Sequence, residues 1–455
     1  MKDKIKTLLK KYKPKCDYLE IRAEEIQRLD FTFMGKSITH LCQSEDFGLA
    51  VRAAYKGGWG FCSFNSLEKL EENIKLAIQQ AKIVGKSKTH LAEVPVVEKT
   101  IKANLLKDGR DLPLSEKINL FKHYNELIFS YDKKIINSLI KYFDRYRTIT
   151  FANSEGSYLV QEKMDMAFRC SAYAKENGVV QDAKVVEGSS NNAGIIYNLD
   201  ERFKNACETA LEMAKAPQAK GGKYPVIVDQ RLGGVFAHEA FGHMSEADEY
   251  AENPQMKETF KLGKKLGSPI LNLYDSGIDL GCRGYTEYDD EGVKTEKTYL
   301  IKEGILVGRL HTRESAALFG EKPTGNARAI SYKYPPICRM RNTAIENGTS
   351  SFEELLEGIK EGIYAVGCLG GTGGEMFSFT AERGYIIRNG KIEEMVRDLS
   401  LSGNLFLTLK NIDKIGNDFK IPDDAGGCGK GEQWPLETSC SGPHFRIKEA
   451  TVGGI

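Results

Sequence analysis

The chain has 455 residues, of which 41% are hydrophobic and 28% charged, the make-up of a globular protein with room for more than one domain. With 64 basic and 63 acidic residues the formal charge is +1, which lacks the basic excess of a nucleic-acid binder. No stretch reaches the ~20 uncharged apolar residues of a membrane helix, so neither nucleic acid nor a membrane is an expected partner.

The N-terminus, MKDKIKTLLKKYKPK, reads as a short amphipathic helix and lacks the apolar centre of a secretion signal. Residues 19–22, 30–33 and 47–54 read as strands, the last closed by a Lys56-Gly57-Gly58 turn. Leu70, Ile74, Ala77, Ile78 and Ala81 recur at helical spacing, which predicts a helix over 67–84. Asn65 with Glu68 supplies its start signal and Gly85 its stop. Further helices are expected after Ser115 and over 200–214, with a hairpin turning at Asn153-Ser154-Glu155-Gly156 between them. The small, polar stretch 213–224, with Pro217 and Gly221-Gly222, marks a boundary. The expected fold is therefore α+β: a mixed α/β domain over 1–215, then a β-rich domain over 216–455. In the second, 225–229 reads as a strand and 231–243 as a helix. Hairpins turn at Lys302-Glu303-Gly304 and at Asn389-Gly390, and Ser351 with Glu354 forms a capping box.

Chemistry concentrates in His238-Glu239-Ala240-Phe241-Gly242-His243. Two imidazoles bracketing a carboxylate on one helix is a zinc-peptidase pattern: the histidines coordinate Zn²⁺ and the carboxylate takes a proton from the metal-bound water. The ion lowers that water's pKa to ~7, and Glu239 then returns the proton to the leaving amine. The spacing is five rather than four. In a regular helix five residues turn ~500°, leaving the side chains ~140° apart. A π turn, with i→i+5 bonding, would realign them, and Gly242 is where the backbone is free to give way. The bland alternative is an ordinary helix with incidental histidines.

A catalytic zinc needs about three protein ligands. From spacing alone the third remains open among His311, His444, Glu246, Asp248, Cys282 and Cys428. Cys428 stands out in Gly426-Gly427-Cys428-Gly429-Lys430-Gly431, where glycines permit close approach and Lys430 would favour the thiolate. A flexible turn with an incidental cysteine is the plainer reading. The other cysteines read as buried, reduced thiols of a cytoplasmic protein.

These segments resemble the TldD/PmbA family of metallopeptidases, also known as modulators of DNA gyrase, and its TldD-type subunit in particular. The matching motifs are the His238–His243 run, Tyr288-Asp289-Asp290-Glu291-Gly292, Pro323-Thr324-Gly325-Asn326, Cys428-Gly429-Lys430 and the closing Thr451-Val452-Gly453-Gly454. The resemblance implies that Cys428 is the third ligand, so that one Zn²⁺ per chain sits on His238, His243 and Cys428 with Glu239 as catalytic base. It implies a peptidase for small or unfolded polypeptides, its active site between subunits. The assembly would be a homodimer or a heterodimer with a TldE/PmbA-type subunit. Such substrates would bind extended, adding a strand to a sheet edge.

The chain departs from the family at Met244-Ser245-Glu246-Ala247-Asp248, which replaces a Gly-rich stretch. Glu246 and Asp248 are candidate supports for the ligands, against a reading as solvated helix-end carboxylates. His311, Tyr285 and Tyr288 are candidate oxyanion donors, with ordinary structural hydrogen bonding as the alternative. Arg52 and Arg283 are weighed as substrate-carboxylate contacts against surface ion pairs. The glycine run over 367–374 lacks the ending of a phosphate loop and is expected to allow close approach of strands or subunits. A competing function is a zinc-containing scaffold or binding subunit that needs a partner, against which the retained Glu239 argues.

Overall fold

The computed structural model describes residues 1–249, 253–421 and 425–454. The first half is organised by long antiparallel strands: β1 (Tyr18–Met34), β2 (Ser37–Tyr55), β3 (Gly58–Phe64), β4 (Glu98–Ile101), β5 (Ile135–Asn153), β6 (Tyr158–Glu176) and β7 (Val179–Ser189). They form one seven-stranded sheet in the order β3-β2-β1-β5-β6-β4, with β7 also on β6. Only β4 runs parallel to its neighbour. The separate strands expected at 19–22 and 30–33 are the two ends of β1, which has 17 residues. Between them Glu25, Gln27 and Arg28 face outward where the hairpin arm leaves the core, so no buried alternation marks that stretch as strand.

Helices α1 (Lys2–Tyr12) and α2 (Leu70–Val84) cover one core on this sheet, and α3 (Leu114–Tyr131) with α4 (Asp200–Lys215) cover another. All five periodic residues of α2 are buried. Its start differs from expectation: Ser66, not Asn65, accepts from the Glu68 N–H, because a 3₁₀ turn precedes the α-helix. The turn at 153–156 joins β5 and β6 as the sequence suggests.

The second half centres on a nine-stranded sheet whose middle strands are Phe445–Gly454, β8 (Gly222–Val228) and Glu361–Val366, with Gly370–Thr372 at one edge. A five-stranded sheet contains Leu273–Ser276, Asn342–Ile345 and Ser439–Ser441. Helix α5 (Gln230–Phe236) contributes Leu232 and Phe236 to a core that also holds Val226 and Val228 of the first sheet and Leu273 and Ile345 of the second. The capping box at Ser351/Glu354 is formed. Asn389 and Gly390 turn their hairpin with φ of 49° and 73°, the left-handed region that Asn-Gly tolerates. The fold is α+β. No helix among the described residues is long and apolar enough to cross a membrane.

Ion pairs of buried arginines join the halves. Arg52 reaches Glu20 at 2.8 Å and Glu291 at 2.5 Å, and Arg313 grips both oxygens of Glu155 at 2.8 Å. Arg283 is 5% exposed and bidentate on Asp165 of β6, at 2.7 and 3.1 Å. Arg52 and Arg283 are therefore neither surface pairs nor open to a substrate carboxylate; each spends its guanidinium inside the protein.

Candidate metal centre

Asp229 starts the helix that carries the histidines. Its Oδ1 accepts from the Leu232 N–H at 2.8 Å and its Oδ2 from the Gly367 N–H at 3.0 Å. The chain is α-helical through Phe236 and then makes a π turn over Ala237–Gly242, with the His243 N–H bonded to the His238 carbonyl five residues back. This brings the rings to a centroid distance of 5.2 Å, nearly perpendicular at 83°. The role expected of Gly242 needs correction. Its φ of −57° and ψ of −49° are ordinary helical values, so it lends no unusual freedom. It supplies room: a Cβ there would overlap the Met340 sulfur. Gly234 does the same about two turns earlier, where a Cβ would lie 2.7 Å from the Ser441 nitrogen.

Cys428 arrives on a small hairpin, Cys428–Lys430 paired with Gln433–Leu436. Its Sγ lies 3.5 Å from His243 Nε2, and the donor atoms of His238, His243 and Cys428 all fall within 4.8 Å of one another. Two buried arginines hold the approach: Arg339 donates to the Cys428 carbonyl at 2.7 Å, and Arg283 donates to the Gly426 carbonyl. Burial alone would push the Cys428 thiol up, but the charges and hydrogen bonds of His238 and His243 outweigh it and bring it down to about 5. Burial likewise opposes charging His243, and Cys428 with Glu246 raises it to about 9. Cys428 is thus held as thiolate between two imidazoles, and its charge in turn favours the protonated form of both, His238 being raised as His243 is. Lys430, expected to favour the thiolate, is engaged by carboxylates instead. Its ammonium faces the other way, onto Asp248 at 2.6 Å and onto Glu246 and Glu249 at 3.3 Å.

A second layer fixes the ligands. Glu246, wholly buried, takes His243 Nδ1 at 3.1 Å with one oxygen and the Met340 N–H at 3.1 Å with the other. That leaves His243 Nε2 aimed at Cys428. Asp248 stands one step further out, on Lys430 and on the Cys338 N–H at 3.0 Å. On the other imidazole, Thr343 Oγ1 lies 3.4 Å from His238 Nδ1 and donates to Asp275 at 3.1 Å. Cys440 also borders His238. Nothing in the sequence pointed to Thr343, Asp275 or Cys440, which stand 37 to 202 residues from His238 and are brought side by side by strand pairing, or to Arg339, which reaches the site through the Cys428 carbonyl.

Glu239 is placed differently from the trio. Its side chain is 34% exposed and its Oε2 sits 3.7 Å from His243 Nε2, so it flanks the donors from the open side. The glycine run packs on this turn: a Cβ at Gly373 would overlap the Glu239 carbonyl. Such a donor set, two imidazoles and a thiolate with their outer nitrogens tied down, suits Zn²⁺ among the common divalent ions.

The remaining sequence candidates lie elsewhere. His311 is 1% exposed, with Nδ1 on Ser315 at 3.0 Å and Nε2 on Glu321 at 2.9 Å, so both ring nitrogens are spent. Tyr285 lines a small cavity with Gln161 and Glu287, and Tyr288 lies under Lys99. None of the three makes a hydrogen bond to the trio among the described residues. His444 is engaged by Asp418 at 2.6 Å and Tyr364 at 2.9 Å. Burial raises Cys282 to about 12, unsuited to a thiolate ligand.

The chain is similar to known proteins along most of its length. Residues 221–454 match the PmbA/TldA metallopeptidase C-terminal domain, 107–216 the central domain and 19–83 domain 1. The chain belongs to the PmbA/TldA metallopeptidase family. Family domain 1 and the central domain share the single seven-stranded sheet described above. A metalloprotease of Synechocystis sp. is 42% identical over 449 residues, covering 98% of this chain and 97% of that protein. A zinc metalloprotease TldD homolog of Saccharolobus solfataricus is 31% identical, covering 96% and 97%. TldE from Thermococcus kodakarensis shares the fold at a TM-score of 0.78 and 18% identity, over 99% of this chain and all of that one. A protein from Thermotoga maritima, described as a modulator of a DNA gyrase, does so at 0.80 and 21% over the full length of both.

Proposed function

We propose that this chain is a zinc-dependent peptidase acting on small or unfolded polypeptides, with His238, His243 and Cys428 holding one Zn²⁺ and Glu239 as the base. The observation that carries this is the convergence of three metal-donor atoms within 4.8 Å beside a partly exposed carboxylate. Three protein donors leave a position for water or substrate, whereas a structural zinc site is closed by four. That count favours the enzyme over the scaffold reading.

When bound, the ion supplies Lewis acidity toward water and the scissile carbonyl. The chain's own residues do the rest. Glu246 and Thr343 orient the two imidazoles from behind, so their free nitrogens face one point. Glu239 accepts a proton on its open side and passes it to the leaving amine, the role of a general base that becomes a general acid. The exposed edge strand Gly370–Thr372, which runs into the glycine packed on Glu239, offers backbone groups to an extended peptide. Recognition through backbone fits broad specificity toward unfolded chains.

The family membership and the fold shared with TldE favour assembly either with a second copy or with a TldE/PmbA-type subunit. The ten cysteines, none of them in a disulfide, fit the reducing cytoplasm. Stripping metal with a chelator should abolish cleavage of an unfolded peptide mixture, and one Zn²⁺ per chain should restore it; Cys428→Ser should not recover. Cleavage that survives chelation would refute the proposal.

A further inference from the structure

A cavity of about 750 Å³ opens between the first sheet and the Cys428 hairpin. Gly426, Gly427, Trp434 and Pro435 of the hairpin region form one wall, so the cavity begins where the metal ligand is anchored. The opposite wall is the face of β1, β5 and β6. Seven basic side chains line the space against three acidic ones, an imbalance foreign to a chain of net charge +1. Two of the acids are already paired with arginines, Asp165 with Arg283 and Arg145 and Glu437 with Arg145 and Arg147, while Asp46 accepts from the Tyr332 hydroxyl and keeps its charge.

The strand register sharpens the point. Arg28 stands directly opposite Arg145, and Lys141 directly opposite Arg169. Like charges facing each other across antiparallel strands are destabilising by themselves. Arg28 and Arg145 are relieved by carboxylates of the chain, Asp30 and Glu437. Lys141 and Arg169 are both exposed and, like Lys333 on the facing loop, have no carboxylate partner among the described residues. An anion placed between them would turn the repulsion into attraction.

We infer that this cavity is a substrate subsite for acidic peptide segments, with Lys141, Arg169 and Lys333 pairing to Asp or Glu side chains of the polypeptide being cut. The inference rests on the peptidase reading and adds a preference to it: backbone recognition near Glu239, charge recognition beyond the hairpin. An acidic peptide is favoured over a nucleic acid because the space abuts the ligand-bearing hairpin and the chain shows no general basic excess.

The test uses the zinc-loaded protein and two unfolded peptides of one sequence, one carrying a run of Glu and the other Gln at the same positions. Binding is read in Glu239→Gln protein by fluorescence anisotropy, and cleavage in the parent. The acidic peptide should bind about tenfold more tightly, the order that two or three partly exposed ion pairs supply, and the gap should shrink with salt. Lys141→Gln with Arg169→Gln should close the gap, and Lys141→Glu with Arg169→Glu should reverse it, with zinc content unchanged in both. Equal binding of the two peptides by the parent would overturn the inference, as would a preference that survives the double substitution. So would an oligonucleotide that displaces neither peptide yet needs both basic residues. Charge-dependent binding without cleavage would leave the subsite standing and count against the peptidase reading instead.

Discussion

At the scale of single residues, what the sequence carried was donor chemistry, and what it withheld was orientation. His238, Glu239 and His243 announce themselves by type and spacing. Glu246 does not, since a carboxylate three residues after a helix histidine is common on any surface. Here it is wholly buried on His243 Nδ1. Glu246→Ala should therefore weaken zinc binding ~10–100-fold, measured by competition with a chromophoric chelator, while Asp248→Ala, which removes a partner of Lys430 and of a backbone amide, should cost less. Equal losses would mean that Lys430, not the contact to His243, governs the site. Proton linkage gives a second prediction. His243 is held protonated up to about 9 in the metal-free protein, so Zn²⁺ must displace that proton at neutral pH. Affinity should rise with pH as His243 and His238, which is raised as well, give up their protons, with proton release visible in calorimetry across buffers of different ionisation enthalpy. The same raised value stabilises the metal-free fold below the ordinary histidine pKa of ~6.5, a contribution lost as pH rises through about 9.

At the scale of elements, the five-residue spacing was enough to call for a π turn, because helix geometry forbids the alternative. The reason for Gly242 was not legible, since it depends on Met340, a residue 98 positions away whose sulfur fills the space beside it. Gly242→Ala should force Met340 aside at a cost of roughly 1–3 kcal/mol, lowering the melting temperature and disturbing zinc retention together. A variant as stable as the parent would show that Met340 yields freely. The start of α2 was misjudged by one residue because Asn65 and Ser66 are both good caps, and only the 3₁₀ lead-in decides between them. The long strands look like fragments in the sequence for a different reason. Outside the core, β1 and β2 bury neither face consistently, so periodicity, the main signal for a strand, fades while hydrogen bonding continues.

At the scale of the molecule, the halves are coupled through the metal loop. Asp165 on β6 holds Arg283, and Arg283 holds the carbonyl of Gly426, two residues before Cys428. Asp165→Asn would leave a buried guanidinium without its counter-charge, at about 3–5 kcal/mol, and should lower zinc affinity although Asp165 belongs to the first sheet. No sequence pattern joins positions 165, 283 and 426; the connection exists only once the seven-stranded sheet has formed beside the hairpin. The central claim, that Glu239 works on a zinc held by the trio, is tested most directly by comparing parent and Glu239→Gln side by side for zinc content and for hydrolysis of an unfolded peptide mixture. Both should carry one zinc per chain, and the variant should cleave ~10²–10⁴-fold more slowly. Equal cleavage by the two proteins, or no zinc in either, would contradict the account.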